Sequence, residues 1–148
     1  MVAVGAYTNA VDNYDARPHV LLTLTKTLTT ATITTLDVGS VLRNDGGMYV
    51  SGTSLTISED GIYEIGVALR YTTNATGVRQ ARVNVGATTG YYYEERAALS
   101  GQNTMCHFVV EDALIAGTVV FFEGYQSSGG NLALTAFNRA WVRQVVPT

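Results

Sequence analysis

From Gly61 to Tyr71 the chain alternates without a break. Tyr63, Ile65, Val67, Leu69 and Tyr71 fall on one side, and Glu64, Gly66, Ala68 and Arg70 on the other. A period of two marks a strand with one face in a core and one facing water; a helical period of 3.6 would scatter those five residues around the axis. The segment therefore needs a second layer to cover its apolar side. The rest of the chain supplies candidates. Arg79 to Val85 sets Ala81, Val83 and Val85 against Gln80, Arg82 and Asn84, and Thr104 to Leu114 sets Cys106, Phe108, Val110 and Leu114 against His107, Val109 and Glu111, with Val109 blurring the pattern.

Thr118 to Gln126 is apolar on both sides, Val119, Phe121 and Tyr125 opposing Val120 and Phe122, which predicts a strand central in its sheet or lying at an interface. Ala140 to Val146 carries Trp141 and is closed by Pro147; Val20 to Thr27 and Ala31 to Asp37 read as two threonine-rich strands near the front. Turn residues separate these runs at Asn44-Asp45-Gly46-Gly47, Glu59-Asp60-Gly61, Asn74-Ala75-Thr76-Gly77 and Ser127-Ser128-Gly129-Gly130-Asn131. Many short strands at this spacing predict an all-β, antiparallel jelly-roll sandwich over residues 18–148, preceded by a less regular arm at 1–17.

Composition narrows the function classes. With 47% hydrophobic and 14% charged residues the chain is too apolar to stay disordered, and its 148 residues suffice for one core. No apolar run approaches the roughly 18 residues of a membrane-spanning helix, so we expect a soluble chain with no membrane partner. Met1 to Asn9 lacks the basic and apolar regions of a secretory signal, and we expect no export by that route. A net charge of −3, with Lys26 the only lysine, leaves no electrostatic footprint for nucleic acid. Cys106 is the only cysteine, so packing or assembly must supply stability in place of an internal disulfide.

Three stretches resemble the C1q/TNF-like jelly roll, in particular the versions in virion proteins of tailed bacteriophages. They are Leu55-Thr56-Ile57-Ser58-Glu59-Asp60-Gly61-Ile62-Tyr63-Glu64-Ile65, Arg79-Gln80-Ala81-Arg82-Val83-Asn84-Val85-Gly86, and Leu114-Ile115-Ala116-Gly117-Thr118-Val119-Val120-Phe121. The first is similar to an apolar, Gly-x-Tyr strand start, the second to a strand ending in Asn and Gly. The third is similar to a Leu-x-x-Gly-Asp-x-Val turn, with Thr118 where aspartate is usual. The resemblance implies a homotrimer with an aromatic-rich interior. Independently, Val119, Phe121 and Tyr125 with Tyr91 and Tyr93 would leave aromatic surface uncovered in a single chain, and these five are the expected trimer interface. The alternative for Tyr91-Tyr92-Tyr93 is a strand with alternate rings in the core and at the surface. Tyr7, Tyr14 and Arg17 are the candidate contacts of the arm.

Catalysis finds little support. Glu94 and Glu95 are adjacent, so an extended backbone points them to opposite faces and they do not converge on a substrate. Cys106 and His107 are separated in the same way, and with His19 they fall short of a zinc site. Asp12, Asn13 and Asp15, or Asn44 and Asp45, offer oxygen ligands but match no EF-hand loop, and turn chemistry accounts for them. Arg79 and Arg82 should lie on opposite faces, Arg139 and Arg143 on one, where a subunit salt bridge or a ligand contact would use them. Asn74-Ala75-Thr76 is a formal glycosylation sequon, without weight in a chain expected to lack a secretory route. Phosphate loops and nucleophile elbows are absent from the sequence. We expect no enzyme, no cofactor and no metal.

The expected function is a virion structural protein: a homotrimeric capsid decoration protein at the virion surface, assembled in the host cytoplasm, with itself and the major capsid protein as partners. The alternative is a receptor-binding or tail-fibre tip module recognising a host-surface glycan or protein through loops near Asn74 to Gly77, Thr88 to Tyr93 and Ser127 to Asn131.

Overall fold

The computed structural model describes residues 17–86 and 90–147, apart from the side chains of residues 90 and 91. The strands in chain order are β1 (His19–Thr25), β2 (Thr27–Leu28), β3 (Thr34–Thr35), β4 (Asp37–Asp45), β5 (Ser54–Thr56), β6 (Gly61–Tyr71), β7 (Val78–Val85), β8 (Gly90–Ala97), β9 (Thr104–Leu114), β10 (Val119–Gln126), β11 (Leu132–Ala133) and β12 (Arg139–Pro147). One antiparallel sheet runs β4-β1-β12-β6-β9; the other runs β3-β10-β7-β8, with β5 pairing the same side of β10 further along. A short β11-β2 ladder joins the ends.

The alternation read in the sequence decides what lies between the sheets. Tyr63, Ile65, Val67, Leu69 and Tyr71 are fully buried and face Ala81, Val83 and Val85 of β7 and Val120 and Phe122 of β10. Val20 and Leu22 of β1 and Ala140 and Val142 of β12 complete the floor. Buried polar ends are hydrogen-bonded: the Tyr71 hydroxyl donates to the Gln80 carbonyl at 2.5 Å and the Tyr63 hydroxyl to Glu59 at 2.8 Å. Burial raises the pKa of both phenols.

β10 is central, between β7 and the short β3 and β5, which explains its apolar residues on both sides. Two expectations near the front change. The run Ala31 to Asp37 is not one strand: Ala31 has φ 56°, β3 holds only Thr34 and Thr35, and Asp37 already opens β4. β4 itself carried no signal, because Gly39, Ser40, Asn44 and Asp45 do not alternate and the strand is an edge with two register shifts against β1. Gly39 lies close to β1 there: a Cβ would stand 2.9 Å from the Thr23 hydroxyl oxygen, which would have to turn away.

Candidate functional site

Each sheet has an outward face, and the two differ. On the first sheet, antiparallel register lines residues up in rows across the strands. One row is polar: Asp45, His19, Arg143, Glu64 and Glu111. The next has Arg43 at the β4 edge and is apolar across the other four strands, with Leu21, Trp141, Gly66 and Val109; a third holds Thr23, Arg139, Ala68 and His107. Met105 lies opposite Arg70 beyond it. Val109 is 51% exposed and Met105 41%, so along its β9 edge this sheet face is apolar and open to water, beside a half-buried Trp141.

Trp141 anchors this face. A Cβ at Gly66 would lie 2.0 Å from its ring, so the indole rests directly on bare backbone. Its Nε1 donates to Glu64 at 2.9 Å, and the other oxygen of Glu64 accepts from Arg143 at 2.8 Å. Burial works to raise the Glu64 carboxyl, but the hydrogen bonds from Arg143 and Trp141 outweigh it and hold the group below the usual carboxylate range. His19, in the same row, is lowered by burial and by Arg43, against a smaller opposing pull from Asp45.

The second face gathers four of the five residues singled out for an interface. Register places Phe121 beside Asn84, Glu123 beside Arg82 and Tyr125 beside Gln80, with Tyr93 next to Arg82 on β8 and Val119 two residues before Phe121 on the same side. Tyr91 pairs along the backbone with Asn84, and its side chain lies outside the described residues. Tyr93 is 58% exposed, but Val119, Phe121 and Tyr125 are already half-buried in the single chain. The expected uncovered aromatic surface is thus smaller than the sequence suggested, because the short β3 and β5 shelter β10. At its centre Arg82 lies 3.8 Å from Glu123, each side chain mostly buried, while its guanidinium sits 5.2 Å from the centroid of the Tyr93 ring. Arg82 also donates to Gln80, which donates to Glu95.

Between the two faces, the edge strands β8 and β9 meet side by side without a ladder among the described residues. Side chains lace them: Tyr92 donates to Asp112 at 2.9 Å, and Glu94 accepts from the His107 backbone N–H. The bond to Asp112 is the main cause of a raised Tyr92 phenol. Tyr92, Phe108 and Val110 pack against the core yet stay half-buried, so this seam is a second uncovered apolar surface. The alternate-ring reading of the tyrosine run holds for Tyr92, turned inward, and Tyr93, turned outward.

The acid–base candidates separate as alternation requires. Glu94 bonds at the seam while Glu95 bonds Gln80 on the outer face. Cys106 is fully buried, donates to the Arg79 carbonyl at 3.3 Å, and has its thiol pushed up to about 12 by burial and the nearby Glu94; His107 is exposed. Arg79 is fully buried and binds the carbonyls of Asn74, Thr76 and Val78, whereas Arg139 and Arg143 share the first face. The Asn44 side chain clasps both backbone polar groups of Tyr49, and Asp45 pairs with Arg43, which is turn chemistry. Asp12, Asn13, Asp15, Tyr7 and Tyr14 lie outside the described residues; Arg17 donates to the Val145 carbonyl.

No protein-family model matches the chain, and no curated protein sequence matches it. Solved structures do match. The globular domain of the zebrafish complement 1qA protein superposes with a TM-score of 0.68 at 10% identity, covering 89% of this chain and 100% of that one. Murine APRIL at pH 8.0 gives 0.64 at 15% identity, over 86% of this chain and 99% of the other. Eiger TNF from S. frugiperda gives 0.64 at 10% identity, over 89% and 96%. The chain is an all-β jelly roll of the C1q/TNF type.

Proposed function

We propose that this protein is a non-catalytic contact module that assembles as a homotrimer, with the first sheet's outward face of one copy packed against the β8–β9 seam of the next. One observation carries the reading: the core is closed within a single chain, yet Trp141, Val109 and Met105 are left on an open sheet face. The face and the seam are different surfaces, so the contact is heterologous, and such contacts close into rings when the rotation permits. Tyr92 stands at the seam and belongs to the interface, whereas Tyr93 is turned out on the second face. Val119, Phe121 and Tyr125, half-buried on the second face, are assigned to the stability of the single chain. A native mass near three times the 15.8 kDa chain tests the assembly; a persistent monomer sinks it.

Within that class we assign the trimer to a virion shell as a capsid decoration protein, partnered by the major capsid protein. The support is the resemblance of the three sequence stretches to tailed-phage jelly rolls; in the fold they become β5 and the start of β6, then β7, then the β9–β10 turn. The arm at 1–17 would fasten the trimer through Tyr7, Tyr14 and Arg17. Quantitative mass spectrometry of purified virions decides. Copy numbers in the hundreds fit decoration, a handful fits a tail tip, and absence rejects a virion role.

One observation favours the receptor-binding alternative. The loops at Asn74–Gly77 and Ser127–Asn131 lie together, tied by Val78 N–H to the Ser127 hydroxyl at 2.9 Å and braced by buried Arg79. Rigid adjacent loops suit recognition. Binding to host cells that survives substitution of both loops would reject it.

A further inference from the structure

The second sheet's outward face lies outside the proposed contact between copies, and its ion pair is incomplete. Glu123 is buried at 9% exposure and faces Arg82 Nε at 3.8 Å, beyond hydrogen-bond reach. Its Oε2 is out of contact with water, and neither carboxylate oxygen accepts a hydrogen bond among the described residues. On the neighbouring strand β7, the side-chain oxygen of Asn84 is likewise removed from water with no donor. A buried acceptor without a donor costs about 1–3 kcal/mol, and a buried ion pair repays its desolvation only when its remaining lone pairs are bonded. Two neighbouring acceptors that no group of the chain satisfies are a chemical preference for donors brought by something else.

Antiparallel register sets out what surrounds them. Thr35, Glu123, Arg82 and Tyr93 form one row across β3, β10, β7 and β8; Ser54, Phe121 and Asn84 form the next across β5, β10 and β7. Glu123 and Asn84 are diagonal neighbours, roughly 7–8 Å apart along the backbone grid. Thr35 and Ser54 are half-buried, and neither hydroxyl is hydrogen-bonded among the described residues. Tyr93 is 58% exposed, with the Arg82 guanidinium steadying its ring at 5.2 Å from the centroid. Towards Gln80 the face is already closed by the bonds from Arg82 to Gln80 and from Gln80 to Glu95.

These groups select a class of ligand. Arg82 already supplies the charge that Glu123 needs, so a cation meets the guanidinium and an anion meets the carboxylate, and neither gains. A peptide added as a strand needs unpaired backbone, whereas β7 and β10 have neighbours on both sides. A neutral sugar fits each group: its hydroxyls donate to Glu123 and Asn84, accept from Thr35 and Ser54, and its C–H side packs on an aromatic ring. We infer that this face is a carbohydrate-binding platform for a neutral oligosaccharide, read by Glu123 and Asn84 and stacked on Tyr93. The platform lies within one chain, so it does not depend on the assembly reading. It is also distinct from the loops at Asn74–Gly77 and Ser127–Asn131, since the Val78–Ser127 contact that ties them lies two rows beyond the Arg82–Glu123 row.

The test is binding of the full chain to an array of neutral and acidic oligosaccharides, with saturation-transfer NMR on the neutral glycan that binds best. The variants are Asn84→Ala and Tyr93→Ala on the face, and a loop control carrying Thr76→Ala with Ser128→Ala. We expect the parent to bind a neutral glycan, either face variant to lose about tenfold or more in affinity, and the loop control to bind as the parent does. Since the Asn84 oxygen has no donor in the free chain, Asn84→Ala should melt no lower than the parent without sugar, and added glycan should raise the melting temperature of the parent and not of this variant. Should Asn84→Ala misfold, Tyr93→Ala at an exposed ring decides. The inference is overturned by a parent that binds no neutral glycan or only acidic ones, and by affinity that survives both face variants. Binding lost in the loop control and kept in the face variants overturns it as well, and moves recognition to the loops.

Discussion

The outward faces of the two sheets are built from similar residues and solve opposite problems. On the β3-β10-β7-β8 sheet, aromatic rings surround the Arg82–Glu123 pair, and short strands and long side chains cover most of it within one chain. On the β4-β1-β12-β6-β9 sheet, Trp141 lies flat on Gly66, and Val109 and Met105 stand in water. Apolar content does not distinguish the faces; what remains uncovered after folding does. A face that finishes its own packing contributes to the stability of the monomer, whereas an unfinished flat one has area to give to a partner.

The contrast breaks most sharply at Trp141. Trp141→Ala should weaken self-association by about 2–4 kcal/mol per contact, as for a central aromatic anchor, while leaving the urea midpoint of the dissociated chain close to the parent's. Analytical ultracentrifugation reads the first and chemical denaturation the second. Because Trp141 is the only tryptophan, its emission should also shift to the red on dilution, and an unchanged spectrum through dissociation would place the contact elsewhere.

Arg82→Ala should give the reverse pattern. Removing one partner of a mostly buried ion pair destabilises the fold, here by roughly 3 kcal/mol in urea, with triple mass retained at high protein concentration. If assembly is lost at full stability, the second face is the interface and the assignment of Phe121 and Tyr125 to monomer stability is wrong. Tyr93→Ala, on the second face and outside the proposed contact, should change association by no more than about 1 kcal/mol.

Two pH effects sharpen the picture further. Glu64 is held below the usual carboxylate range, so it contributes stability above the ordinary value of about 4.3 and loses that contribution as pH falls through its lowered folded value. Glu64→Gln should flatten this acid limb of the denaturation midpoint. The smallest effect is expected inside: with its thiol pushed up to about 12, Cys106 should resist a thiol reagent in the native state and react only on unfolding.

Sequence alone determined the fold class, the core side of β6 and the division of Glu94 from Glu95 and of Cys106 from His107. All of these follow from a period-two backbone, which acts between near neighbours. It also marked Val119, Phe121 and Tyr125 as one side of a strand, but their shelter by β3 and β5 involves partners far along the chain. The isolated Gly66 inside an alternating strand and the blurred position at Val109 were signals of the open face. Neither could be read until β12 laid Trp141 across β6, with its hydrogen bond to Glu64 spanning 77 residues. Tertiary structure decided which face was finished and which was left open, because exposure is set by what distant strands bring alongside a residue, and alternation says only to which side it points.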